Sequence, residues 1–257
     1  MKTRSLLFAL GMVLCTSLLA QPLSASDNKS VAKEDTLWIR NGDRHLFGLI
    51  SRPQYVQGKM PVAIIAHGFN GTHHFGRNYF DALNKLGYQV YTFDFACGSV
   101  NSRSDNNTMN MSILDEQSDL EAIGESQGGL VSALTAASMP KDISRTILIF
   151  PALCIPDNWT ARYPNLSDIP DTTRLWNVPM GRRFFTEVRD INVFKRIGKY
   201  KRPVLIVQGD KDPVVSMKDS ERAVKIYKDA RLHVIPGAGH GFKPKEFEES
   251  LQQITLF

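Results

Sequence analysis

Cysteine is scarce: the 257 residues hold three, at positions 15, 97 and 154, which excludes both a disulfide-stapled miniprotein and a thiolate zinc module. Histidine is sparse as well, six in all. The adjacent pair His73 and His74 has no cysteine or carboxylate set at ligand spacing, so it reads as a solvated loop and no metal is expected. Charge of one sign is not in large excess. The formal balance of +5 falls to +3 without Lys2 and Arg4, because residues 1–25 carry no Asp or Glu. That is too mild for a nucleic-acid partner. Internal repeats and low-complexity tracts are lacking, and so is a long membrane-spanning run. The apolar stretch from Leu6 to Ala20 falls short of the roughly 20 residues a spanning helix wants and is broken by Gly11, Thr16 and Ser17.

What that first stretch does have is a basic start, an apolar middle and small residues after it, the layout of a cleaved export signal. Residues 1–25 are therefore expected to be a signal peptide, with cleavage near Ala20 or Ala25. Bulky Leu14 argues against lipid attachment at Cys15. The mature chain, 26–257, is expected in the periplasm or outside the cell, with no stable membrane insertion after cleavage. Export permits a disulfide between Cys97 and Cys154, and two free thiols are equally compatible with the sequence.

The mature chain alternates two textures. "TLWIRNGDRHLFGLISRP" reads as a hairpin around Asn41-Gly42. "MPVAIIAHGF" is a continuous apolar run that ends in a glycine turn, as a strand buried on both faces would, and "YQVYTFDF", "RTILIFPAL", "RPVLIVQGDKD" and "ARLHVIPGAGHGF" supply further strands. Between them lie helical spacings: one with Tyr79, Leu83 and Leu86 that stops at Gly87, one from about Gly128 to Ser138, and a terminal amphipathic helix in "KPKEFEESLQQITLF". This alternation predicts an α/β fold built on a mostly parallel, doubly wound sheet. Residues 155–192 interrupt the rhythm with Pro, Asn, Asp and aromatics. An insertion of that length between two strands predicts a lid or binding element.

The chemistry centres on Gly124-Glu125-Ser126-Gln127-Gly128, the G-x-S-x-G form of a strand-to-helix turn that presents a nucleophilic serine. A serine hydroxyl needs a histidine to take its proton, and that histidine needs a carboxylate to fix its tautomer. Asp212 follows the strand "PVLIVQG" and His240 follows "LHVI". Both sit where loops leave strand ends, so they can converge with Ser126 at one sheet edge. Asp210 is the rival carboxylate. The Gln127 N–H at the helix start and the Phe69 N–H in "AHGFNG" are the expected oxyanion donors. His67 reads as a structural neighbour of that loop. Trp159, Tyr163, Trp176, Phe184 and Phe185 either line a ring-binding pocket or form the lid's own core, with Trp176 and Phe185 the candidates for substrate contact.

On "HGFNGT", "FDF" with "GSVNSRSD", "GESQGG", "LIVQGDKDPVV" and "GAGHGF", the chain resembles the α/β-hydrolase superfamily, and within it the small cinnamoyl or feruloyl esterases. The resemblance implies Ser126 as nucleophile, His240 as base, Asp212 as its partner, Phe69 and Gln127 as oxyanion donors, and residues about 155–192 as the lid that receives an aromatic acid. It implies a secreted serine hydrolase of carboxylic esters, including hydroxycinnamoyl esters of plant polysaccharides. The partner is a small-molecule or glycan-linked ester, and no cofactor is required. A peptidase of the same fold and a catalytically impaired binding protein are the alternatives. One departure stands out. Relative to the resemblance, about sixteen to eighteen residues of helix, turn and buried strand are missing between "DEQSDLEA" and "IGESQGG". The central strand before Ser126 is thus expected to be shortened or missing, unless "DLEAI" is drafted in at the cost of burying Asp119 and Glu121.

Overall fold

The computed structural model describes residues 32–105, 107–119 and 123–257. The expected signal segment lies outside them, and so does Glu121. In chain order the elements are strands β1 (Lys33–Asn41), β2 (Arg44–Arg52) and β3 (Val62–Ala66), then helices α1 (His74–Arg77) and α2 (Phe80–Lys85) and strand β4 (Gln89–Phe93). Next come α3 (Ile113–Asp119), β5 (Ile123–Glu125), α4 (Ser126–Ser138) and β6 (Thr146–Ile149). Then follow α5 (Ile155–Arg162), β7 (Thr172–Leu175), β8 (Val178–Gly181), α6 (Arg182–Val188) and α7 (Val193–Ile197). The chain closes with β9 (Val204–Gly209), α8 (Met217–Ile226), β10 (Ala230–Ile235) and α9 (Pro244–Thr255).

Eight strands form one sheet in the order β1-β2-β4-β3-β5-β6-β9-β10. The β1–β2 and β2–β4 pairs are antiparallel and every later pair is parallel. The apolar runs explain the centre. Every residue of β6 and β9 is buried, and alternate side chains serve opposite faces. Leu148, Val204 and Ile206 join a core with Leu130, Val131 and Leu134 of α4, Ile197 of α7 and Ala223 of α8. Ile147, Ile149, Leu205 and Val207 join a second core with Phe80 and Leu83 of α2 and Ile254 of α9. Helices therefore cover both sides of the sheet. No described helix is long and apolar enough to cross a membrane.

One local expectation is corrected. The helix expected through Tyr79, Leu83 and Leu86 is two short ones, joined by bonds from Asn78 N–H to Phe75 O and Tyr79 N–H to Gly76 O. Packing explains the break. The backbone at Gly76 lies so close to β4 that a Cβ there would stand 2.1 Å from Thr92 Oγ1. Leu86 is correspondingly left 48% exposed while Tyr79 and Leu83 are buried.

The strand before the serine is shortened, as expected. β5 runs only from Ile123 to Glu125, and Asp119 is the last residue of α3, with residues 120–122 outside the described set. Three residues suffice to join the sheet. Ile123 and Gly124 pair with Ile65 and Ala66 of β3, while Ile123, Gly124 and Glu125 pair with Ile147, Leu148 and Ile149 of β6. Asp119 is buried after all, on the helix, where its carboxylate accepts from Asn41 Nδ2 at 2.6 Å and faces Arg44 Nη2 at 2.9 Å. Those partners oppose the desolvation that lifts its pKa to about 6.

Candidate active site

Ser126 stands where β5 turns into α4, with Glu125 still extended at φ −108° and Ser126 at φ +49°. Left-handed backbone in a non-glycine residue costs on the order of 1–3 kcal/mol and needs a surrounding structure that enforces it. The flanking glycines permit the turn. A Cβ on Gly124 would lie 2.0 Å from Gly128 O, and one on Gly128 would lie 2.4 Å from His67 O. Beyond the serine, Ser126 O accepts from Ala152 N–H at 2.8 Å, which ties the turn to the loop after β6.

The loops after β9 and β10 bring two further side chains to this edge. Ser126 Oγ lies 3.0 Å from His240 Nε2, and His240 Nδ1 lies 2.9 Å from Asp212 Oδ2. The second oxygen of Asp212 accepts from Val214 N–H at 2.8 Å and Val215 N–H at 2.9 Å. Its side chain is 1% exposed and the imidazole 21%. A buried, doubly anchored carboxylate fixes the proton on Nδ1 and leaves Nε2 free to accept from the serine. Asp210 is turned elsewhere: its Oδ1 accepts from Gly237 N–H at 2.6 Å and braces the turn that leads toward His240.

The loop after β3 runs beside the serine, with a Cβ on Gly68 placed 3.2 Å from Ser126 Cβ. Asn70 N–H and Gly71 N–H are committed to Gly98 O and Gly68 O, whereas the Phe69 N–H forms no hydrogen bond among the described residues. The Gln127 N–H belongs to the first turn of α4, where a helix supplies no carbonyl partner of its own. Both are therefore available to an anion. His67 holds the loop from beneath. Its Nε2 accepts from Phe95 N–H at 3.2 Å, which places the ring proton on Nδ1 for donation to Gly68 O at 2.7 Å. Burial lowers its pKa, so the ring stays neutral.

Several expected placements change. His73 does not sit in a solvated loop: it is 4% exposed, and Asp94 accepts from both its N–H (2.6 Å) and its Nδ1 (2.7 Å). Phe185, expected to contact substrate, is instead fully buried against Trp159, Tyr163 and Phe184, so these four aromatics pack on one another within the 155–192 segment. Trp176 is the opposite case. It occupies the β7–β8 hairpin tip at φ +46°, 66% exposed, with its ring 5.7 Å edge-on from that of Phe69. Cys97 and Cys154 are free thiols.

Two carboxyls beside the serine turn, one buried and one half-buried, were not legible in the sequence. Glu116 is 1% exposed and takes hydrogen bonds from Gln127 Nε2 at 3.0 and 2.9 Å. Burial lifts its pKa to about 8 against the opposing pull of that amide. Glu125 is likewise lifted to about 8 by burial, with a backbone hydrogen bond from Gly68 opposing. Only the period-3.6 burial of Ile113 and Glu116 on α3 could have hinted at the first.

No protein-family profile matches the chain. It is 24% identical over 137 residues to the human serine hydrolase BPHL, a match that spans 46% of this chain and 47%, about half, of that relative. Among solved structures it is similar to Est1E of Butyrivibrio proteoclasticus with ferulic acid bound, at TM-score 0.76 and 24% identity over 86% of this chain and 98% of that one. It is also similar to the mouse alpha/beta hydrolase domain-containing protein 10, at TM-score 0.68 and 16% identity over 86% and 96% of the two chains. Strand order, the turn at Ser126 and these likenesses lead to one statement: the chain has the α/β-hydrolase fold.

Proposed function

We propose that the chain is an exported serine hydrolase of carboxylic esters, with Ser126, His240 and Asp212 as its catalytic residues. The observation that carries this reading is the unbroken hydrogen-bonded path from Ser126 Oγ through His240 to buried Asp212. In the reaction Ser126 Oγ attacks the ester carbonyl carbon while His240 Nε2 takes its proton. The carbonyl oxygen becomes an oxyanion, held by the Phe69 and Gln127 N–H groups. As the tetrahedral adduct collapses, the C–O bond to the alcohol breaks and His240 returns the proton to the leaving oxygen. Water then adds to the acyl-serine with His240 as base, and the same steps release the acid and restore Ser126.

The acyl group we propose is hydroxycinnamoyl. Its support is Trp176, an exposed ring held over Phe69 at the mouth of the site, together with the likeness to a structure holding ferulic acid. Export to the periplasm or the medium is proposed from residues 1–25 alone. Methyl ferulate, a short aliphatic ester and an aminoacyl amide, offered to the purified chain and to Ser126→Ala, test the reading. The expected result is ester cleavage that falls by about 10⁴-fold or more in Ser126→Ala, with an unchanged melting temperature and phosphonate labelling confined to the wild type. Retention of a tenth of the activity removes Ser126 from the chemistry. Preference for the amide makes the chain a peptidase, and absence of both activity and labelling makes it a binding protein.

A further inference from the structure

Phe150, the residue that follows β6, is a bulky side chain in a backbone conformation that suits it poorly. Its φ is +33°, a region where phenylalanine is rarely found and where Gly or Asn would relieve the strain. The conformation is enforced on both sides. Phe150 N–H donates to Val207 O at 2.7 Å, and two residues on, Ala152 N–H donates to Ser126 O at 2.8 Å. A loop that needed only to turn here would not require a phenyl ring. The ring is 3% exposed, and its centroid lies 4.8 Å from that of the His240 imidazole at an interplanar angle of 57°. Phe242 stands edge-on behind it at 4.9 Å and prevents it from swinging away.

The geometry points to Phe150 as a positioning residue for His240: the clamped phenyl ring fixes the imidazole plane and stabilises the imidazolium that forms each time Ser126 is deprotonated. This inference rests on the proposed esterase reading, since it assigns His240 a charge during turnover. Its physical basis is independent of that reading. A cation within about 6 Å of an aromatic centroid is attracted by the ring quadrupole, most strongly where water is excluded. The imidazole's hydrogen-bond partners among the described residues are Asp212, the charged group facing it from the loop after β9, and neutral Ser126 at the head of α4. Asp212 supplies charge along the Nδ1 axis. Phe150 supplies no charge but sets an aromatic ring against the imidazole, tilted at 57° with centroids 4.8 Å apart.

The test measures the His240 pKa directly by NMR in a Ser126→Ala background, and as the acid limb of kcat/KM in the active protein. Phe150→Leu is expected to lower that pKa by about half a unit to one unit, and kcat by about 3–10-fold, with little change in KM. Because Phe150→Leu can fail to fold, a second series places 4-fluoro-, 3,5-difluoro- and pentafluorophenylalanine at position 150, which keeps the shape and drains the quadrupole stepwise. A pKa that falls along that series supports the inference. A pKa unmoved across it assigns Phe150 to packing alone and overturns the inference, whatever happens to kcat. The NMR arm needs no turnover, so failure of the esterase reading is seen separately, as absent ester hydrolysis.

Discussion

Replacing Glu116 with Gln is expected to make the fold less sensitive to alkali. The buried carboxyl of Glu116 has its pKa lifted from 4.5 to about 8. Between those values the folded chain keeps a proton that the unfolded chain has released. The resulting stability is therefore fully present below about pH 4.5 and is lost as pH rises through about 8. Each pH unit inside that window costs about 1.4 kcal/mol, or about 3 kcal/mol between pH 5.5 and pH 7.5, against a total of roughly 5–15 kcal/mol for a domain. Glu125, with its pKa also near 8, and Asp119, near 6, add slopes of the same sign. Both remain in the variant, so the difference between the two proteins isolates Glu116. The substitution also keeps an oxygen to accept from Gln127 Nε2. Urea denaturation at the two pH values, with m-values compared, gives the answer. If wild type and variant lose the same stability between pH 5.5 and 7.5, Glu116 is ionised in the fold and the reasoning is refuted.

The two aspartates after β9 separate cleanly. Asp212→Asn is expected to cost about 10⁴-fold in kcat by stabilising the wrong imidazole tautomer, whereas Asp210→Asn, which retains an acceptor for Gly237 N–H, costs less than about threefold; a larger loss at Asp210 reverses the assignment. Trp176→Ala is expected to raise KM for methyl ferulate about 3–10-fold, the worth of one aromatic contact, and to leave a short aliphatic ester within about twofold. Equal effects on both esters would remove Trp176 from acyl recognition.

Much of the sheet was readable because its strands are buried on both faces. "VAIIA", "TILI" and "VLIVQG" have no polar face to offer water, and each became a central strand. The serine turn was readable because Gly124 and Gly128 answer to atoms a few ångströms away, and the order of Ser126, Asp212 and His240 placed them on loops that meet. What escaped was decided by contacts far apart in the chain. Asp119 looked too costly to bury because its partners, Asn41 and Arg44, come from a hairpin more than seventy residues earlier. The break between α1 and α2 depends on Thr92, which no helical periodicity contains. Phe185 and Trp176 are both lid aromatics in sequence. Only packing tells that one is interior and the other is at a hairpin tip.

The brevity of β5 divides the sheet into two bodies. On one side β1, β2, β4 and β3 form a continuous ladder, and on the other β6, β9 and β10 form another. Among the described residues the two ladders are joined through Ile123, Gly124 and Glu125, two of which pair with β3. The helix that spans this seam is α4, packed on β3, β5 and β6 together, and it begins at Ser126. Ser126 therefore sits on the suture between the two parts of the sheet, with Phe69 carried by one part and Asp212 and His240 by the other. Motion of the parts relative to one another changes the distance between the Phe69 loop and the His240 imidazole. Slow amide exchange in both ladders, with early exchange along the suture, is the behaviour such a joint implies, and in this chain the geometry around Ser126 is held by a strand three residues long and by the helix that crosses it.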